Sequence, residues 1–199
     1  MDQAVKKSPV SWDPEKFAIR TLVKRLTDLG EVTIHDQRVE LADISPIVEA
    51  KNSAHLFRKA GKEEHEVIAA MSSSRERLAA AFGVPESKMR EEYLRRSANP
   101  QKPFEVPSNE APVHEVVEEG DAIDLTQMPF HVQHEFDGAP YMTSGIDFVK
   151  DPLTGRSNVG ARRMMLRGKN KVGINLTAPS DLRDRKSTRL NSSHGYISY

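Results

Sequence analysis

The sequence predicts an α+β chain: a helix-rich N-terminal α/β domain (residues 1–110) followed by the opening strands of a β domain (111–183). Three observations carry this prediction. Before Asn99, apolar residues recur at three- and four-residue steps in several separate stretches, as amphipathic helices require. Pro100, Pro103, Pro107 and Pro112 then exclude a regular helix and mark an extended linker. Beyond Tyr141 the pattern shortens to strand periods separated by turn sequences.

Asp13 and Pro14 are a helix N-cap and first-turn proline, and Ile19, Leu22, Val23, Leu26 and Leu29 form the apolar stripe that Gly30 ends. Residues 31–35 alternate as a strand, and a second helix runs from Ser45 and Pro46 to Ala50. Short strands are expected at His55–Phe57 and Glu66–Met71. Ser73 and Glu76 have capping-box spacing for a helix carrying Leu78, Ala79, Ala81 and Phe82 and closing at Gly83. Another helix follows from Glu86 to about Arg96. In the second part, Tyr141–Val149, Asn158–Leu166 and Val172–Ala178 read as strands. DPLTG (151–155) and Lys169–Asn170 supply the turns between them, giving an antiparallel meander.

Composition narrows the chemistry. The 199 residues carry 29 basic and 29 acidic side chains, and zero net charge gives no electrostatic footprint for a nucleic-acid partner. With 37% hydrophobic and 29% charged residues the chain is polar but globular. Cysteine is absent, which excludes disulfides, thiolate nucleophiles and Cys-ligated metals. No apolar run has the length of a membrane span and the first twelve residues lack a secretory core, so the cytoplasm is the expected compartment.

Three regions can carry chemistry. His131, His134 and Glu135 cluster in PFHVQHEFDGAPY, but Pro129, Gly138 and Pro140 favour a loop over the helix that would put both histidines on one face. A structural or pocket-lining role is the plainer reading there. The hairpin Tyr141–Leu166 puts Thr143, Ser144 and Gly145 on one strand, and Asn158, Gly160, Arg162 and Arg163 on its partner. Glycine weakens a strand unless something approaches the backbone closely, and consecutive arginines point to opposite faces. A surface hairpin with a solvated arginine pair is the alternative. Finally, Pro179, Ser180 and Asp181 follow a strand; Asp181 and Asn158 offer hard oxygen donors suited to Mg2+ or Mn2+, or Ser180–Asp181 simply caps a helix.

Taken together, SRERLAAAFGV, APVHEVV, GDAIDLTQMPF, HEFDGAPYMTSGIDFVKDPLTGRSNVGARRM and APSDLR resemble the UbiD family of decarboxylases. The long central run is the specific part, with a strand, a DP-x-TG turn and an N-x-G-x-x-R strand in order. The resemblance implies an N-terminal α/β domain leading into a flavin-reductase-like split β-barrel, with prenylated FMN as cofactor. Mn2+ or Mg2+ would bridge to its phosphate, and K+ is a further cation in the same picture. It implies Asn158 as metal ligand, with Asp181 where many members carry a histidine, and Thr143 on the flavin-binding strand. Ala161 and Arg162 would make backbone contacts to the cofactor, and Arg163 is the implied catalytic arginine. Asn158 and Arg163 differ in parity, so either Gly160 marks a bulge or each contacts a different part of the ligand.

The implied reaction is reversible, non-oxidative decarboxylation of an aromatic or α,β-unsaturated acid, polyprenyl-hydroxybenzoate being one example. The implied partners are a small-molecule carboxylic acid, a flavin prenyltransferase that supplies the cofactor, and further copies of the chain in a homo-oligomer. An ordinary flavin-binding reductase on the same barrel and a non-catalytic interaction module are the alternatives. Residues 184–199, DRKSTRLNSSHGYISY, lack any period and resemble the translation of a sequencing adapter, so they are expected to be a non-native tail. The family's glutamate ligand and acid–base residues lie downstream of Arg183, so the expectation is an inactive N-terminal piece of an active parent.

Overall fold

The computed structural model describes residues 14–100, 106–151 and 154–174. Residues 14–17 form a 3-10 turn, and Ala18, in extended backbone (ψ 138°), separates it from helix α1 (Ile19–Asp28). The helix expected to start at Pro14 is therefore split. Short helices depend on packing of an apolar face, and that stripe begins only at Ile19. Leu26 is the fully buried member of the stripe. Gly30 takes φ 75°, a left-handed conformation that closes the helix at low steric cost.

Strand β1 (Val32–Val39), helix α2 (Ile44–Ala50) and strand β2 (Ala54–Ala60) form a β-α-β unit. Ala54 N–H donates to the Glu31 carbonyl and Gly61 N–H to that of Val39, so β1 and β2 run in the same direction. Strand β3 (His65–Ala69) completes a sheet of order β1-β2-β3, with β2 central. That position explains why Ala54, His55, Leu56, Phe57 and Ala60 are buried, whereas Arg58 and Lys59 are exposed.

Helix α3 (Arg75–Phe82) starts one residue from where the capping-box spacing predicts. Ser74, in extended backbone, accepts the Arg77 N–H at 3.1 Å and is the cap. Ser73 is diverted by tertiary contacts: its hydroxyl donates to the Ala70 carbonyl and receives an Arg77 guanidinium N–H at 2.8 Å. Gly83 (φ 74°) closes the helix, and Arg25 and Arg96 donate to the Ala80 and Phe82 carbonyls at 2.7 Å, satisfying groups a helix end leaves open. A 3-10 turn (Glu86–Lys88) leads into α4 (Met89–Ser97), which buries no side chain.

The second sheet is a meander of β4 (Tyr141–Lys150), β5 (Ser157–Gly168) and β6 (Lys171–Ile174), antiparallel throughout, as expected; residues 175–178 of the predicted third strand lie outside the described residues. The chain divides into two compact units, Met1–Arg38, Val48–Lys59 and Glu66–Glu118 in one, and Val39–Ile47, Ala60–His65 and Glu119–Tyr199 in the other. The first takes its buried apolar side chains from Leu26, Ala54, Leu56, Phe57 and Ala79; the second takes them from Ile44, Ala60 and Phe130. Among the described residues no helix is long and apolar enough to cross a membrane.

Candidate functional site

The β4–β5 hairpin brings together most of the residues the sequence singles out. Its turn is closed by Asp151 N–H to the Arg156 carbonyl and Gly155 N–H to the Asp151 carbonyl, both at 2.8 Å, with Gly155 at φ 70°. From the turn the ladder pairs Lys150 with Ser157, Val149 with Asn158, Asp147 with Gly160 and Gly145 with Arg162 in unbroken register. Beyond Gly145 the register shifts, and Met142 faces Met164. The bulge therefore lies on β4 at Thr143–Ser144, not at Gly160, and Arg163 of β5 is opposite it. A bulge frees backbone groups from the ladder, and both Thr143 and Ser144 are exposed there.

Because paired residues share a face, Gly145, Asp147, Val149, Asn158, Gly160 and Arg162 lie on one side of the hairpin. Ile146, Phe148, Val159, Ala161 and Arg163 lie on the other. Asn158 and Arg163 are thus on opposite faces. The Arg163 face is open: Ile146, Phe148 (78% exposed) and Val159 show their side chains to solvent, and the Arg163 guanidinium sits 5.3 Å from the centre of the Tyr141 ring. Flat apolar surface, a cation and a hydroxyl-bearing bulge form a donor set that suits a planar anionic ligand.

The Asn158 face is closed by charge pairing. Arg162 Nε lies 2.9 Å from Asp147 Oδ1, with the side chains 17% and 12% exposed. The approach is off the hydrogen-bonding line, and Arg162 Nε and both Asp147 oxygens are buried without a hydrogen-bond partner. The pair is therefore coulombic contact rather than a fork. Gly160 makes room for it, since a Cβ there would stand 2.8 Å from Asp147 Oδ1; at Gly145 the tight neighbour is backbone, a Cβ standing 2.9 Å from the Arg162 carbonyl oxygen. Asp147 is the residue that reading the strand alone misses; its signal is an acid placed across from a strand glycine.

The histidine segment is a loop, as its prolines and glycine predict. His131 bridges to Tyr141, and burial lowers its pKa from the ordinary 6.5. The Asp137 carboxylate accepts the N–H groups of Gln133 and His134 at 3.1 and 3.0 Å, and the His134 ring leans on Phe136. Among the described residues no three His, Asp or Glu side chains converge to hold a metal. Asp181, with Pro179 and Ser180, lies outside the described residues.

Residues 104–191 match the family model described as UbiD, 3-octaprenyl-4-hydroxybenzoate carboxy-lyase Rift-related domain, a range that runs past Arg183. An anhydromevalonate phosphate decarboxylase of Methanosarcina mazei is 32% identical over 169 residues, 80% of this chain and 36% of the relative. The chain spans about a third of the length of the curated relatives it matches. Its fold superposes on an evolved dimeric form of the UbiD-class enzyme HmfF from Pelotomaculum thermopropionicum in complex with prFMN, with TM-score 0.79 and 27% identity, over 86% of this chain and 41% of that one. A 3,4-dihydroxybenzoic acid decarboxylase from Enterobacter cloacae shares the fold at 19% identity, with TM-score 0.77 over 85% of this chain and 38% of that one. Family model, sequence relative and solved structures agree on one assignment: residues 104–191 match the UbiD family's domain, and the fold is that of UbiD-class enzymes.

Proposed function

We propose that the chain is the N-terminal part of a non-oxidative carboxy-lyase that uses prenylated FMN on aromatic or α,β-unsaturated carboxylic acids. The observation that carries this reading is the open face of the β4–β5 hairpin. There Arg163, the Thr143–Ser144 bulge and an apolar strip of Ile146, Phe148, Val159 and Ala161 lie on one surface. The relationship to a UbiD-class enzyme solved with prFMN supports it.

In this reading the exposed arginine binds the carboxylate or the cofactor's anionic edge, and Tyr141 beneath it limits where the guanidinium can sit. Thr143 and the freed bulge backbone donate hydrogen bonds along the ligand, and the apolar strip excludes water from one side of it. When bound, the modified flavin supplies the electron sink for loss of carbon dioxide. Ala161 offers a small side chain on the same face, and Arg162 contributes its backbone while its side chain is committed to Asp147. For a divalent metal, Asn158 is a neutral oxygen donor on the opposite face, and with Asp181 it is the proposed ligand set for Mn2+ or Mg2+. The proposed layout assigns residues 1–110 to an α/β domain and 111–183 to the start of a flavin-reductase-like split β-barrel. A homo-oligomer and a flavin prenyltransferase as cofactor supplier complete the proposal.

The test is a flavin spectrum of the full-length parent, made with and without prenyltransferase and manganese, together with carbon dioxide release from cinnamate-like and hydroxybenzoate-like acids. Release that depends on the prenylated cofactor supports the reading. Binding of unmodified FMN with NAD(P)H oxidation would make the protein a reductase, and absence of any flavin or metal binding would make it an interaction module.

A further inference from the structure

Strand β5 presents two consecutive arginines, and a strand necessarily sends them to opposite faces. Which one reaches the open face depends on register alone, since a slip of one residue exchanges every side chain between faces. The ladder is discontinuous next to this choice, because the bulge at Thr143–Ser144 lies opposite Arg163. Glycine-rich strands specify register weakly, and Gly145 and Gly160 both sit in this ladder, so something between the bulge and the 151–156 turn must hold β5 in place.

The Asp147–Arg162 pair is built for that. Asp147 faces Gly160 and Arg162 faces Gly145, so the ion pair runs diagonally across two rungs of the ladder. The carboxylate lies on bare backbone, in space that a Cβ at residue 160 would fill. After a one-residue slip Asp147 would meet Ala161 in place of Gly160, and Arg162 would leave it for the opposite face. The buried carboxylate would then lose its counter-charge, a costly state. We propose that Asp147 is a positioning residue: by holding Arg162 on the covered face it makes Arg163 the arginine presented to ligand. The ligand role of Arg163 rests on the function proposed above, whereas the choice between the two arginines does not.

Arginine-selective dicarbonyl labelling of the 199-residue chain, read residue by residue by mass spectrometry after digestion with a protease that ignores arginine, tests this without cofactor. In the parent sequence Arg163 should label and Arg162 should be protected. Asp147→Asn, nearly isosteric but uncharged, should raise the Arg162-to-Arg163 labelling ratio about tenfold, the ratio that 1.4 kcal/mol supports. Asp147→Glu should restore the parent ratio. Arg77→Met, which removes a buried arginine outside the hairpin, should lower stability without moving the ratio. An Asp147→Asn chain that keeps Arg162 protected overturns the proposal. If that variant does not fold, Asp147→Ser/Arg162→Ser removes both charges and leaves nothing that prefers the covered face: a fall in Arg163 labelling supports the proposal, and labelling of Arg163 as in the unsubstituted chain overturns it. Flavin titration of the full-length parent keeps the two readings apart, since a labelling switch here without flavin binding there upholds the positioning role and removes the cofactor reading.

Discussion

Arg77 shows how much one side chain can determine. It is 1% exposed, and its guanidinium donates to Glu31 at 3.1 Å, Asn52 at 3.0 Å and Ser73 at 2.8 Å, joining α3 to the residues flanking β1 and β2. Arg77→Ala should destabilise the chain by about 2–4 kcal/mol, because it leaves a cavity and unpaired polar partners; urea unfolding measures it. Gly160 is a second such position. Gly160→Ala drives a methyl against the Asp147 carboxylate and should cost about 1–3 kcal/mol by the same measurement. Arg163 is the opposite case, exposed, with its guanidinium 5.3 Å from the centre of the Tyr141 ring. Arg163→Ala should change stability by no more than about 0.5 kcal/mol, while, on the function proposed above, abolishing carbon dioxide release in the full-length parent. Residue type does not reveal such roles, since Arg77, Arg162 and Arg163 look alike in the sequence and differ only in what surrounds them.

At the scale of elements, the caps and the first sheet make the informative predictions. Ser74→Ala should cost about 1 kcal/mol through loss of the α3 cap, and Ser73→Ala should act through Arg77 instead. In the sheet, Thr33, Ser53, His55 and His35 form a hydrogen-bonded chain across β1 and β2, with the two imidazoles 3.0 Å apart and their rings stacked. Burial, the neighbouring His55 and Lys51 lower the His35 pKa from its ordinary 6.5. The folded state thus binds fewer protons than the unfolded state below that value. The stability His35 contributes is complete above pH 6.5 and is lost as pH falls from there through the lowered folded pKa. His131 shifts the same way and adds to the loss. The carboxylates act later: Glu92, held down to about 2 by Arg95 and Arg96, loses its pairing only in much stronger acid. Thermal unfolding between pH 7.5 and 5, an interval chosen to bracket the imidazole range, should show a falling midpoint. His35→Gln should flatten that slope.

For the whole molecule, the main fact is the apolar face the second unit leaves open. Ile146, Phe148 and Val159 are 60%, 78% and 56% exposed on one side of a single hairpin, a cluster a soluble surface rarely carries without function. The 199-residue chain should therefore bind a hydrophobic dye such as ANS, and Phe148→Ser should reduce that fluorescence by about half without shifting the unfolding midpoint by more than about 0.5 kcal/mol equivalent. The chain spans roughly a third of the length of its curated relatives, and the open strip is the surface that the proposed ligand would use.

Sequence periodicity by itself determined the elements: the α1 stripe, the α2 and α3 helices, the β4–β5–β6 meander and the DPLTG turn follow from local spacing, because helix and strand periods are written in neighbouring residues. The family words did the same for the resemblance to UbiD decarboxylases. Tertiary structure alone decided the rest. Ser74 rather than Ser73 caps α3 because a buried arginine from the next turn takes the Ser73 hydroxyl. The bulge falls at Thr143–Ser144 rather than Gly160, and Asn158 and Arg163 part to opposite faces, because register is a relation between two strands. Asp147 matters because its partner, fifteen residues away in the chain, arrives across the hairpin at 2.9 Å. No local pattern encodes that distance.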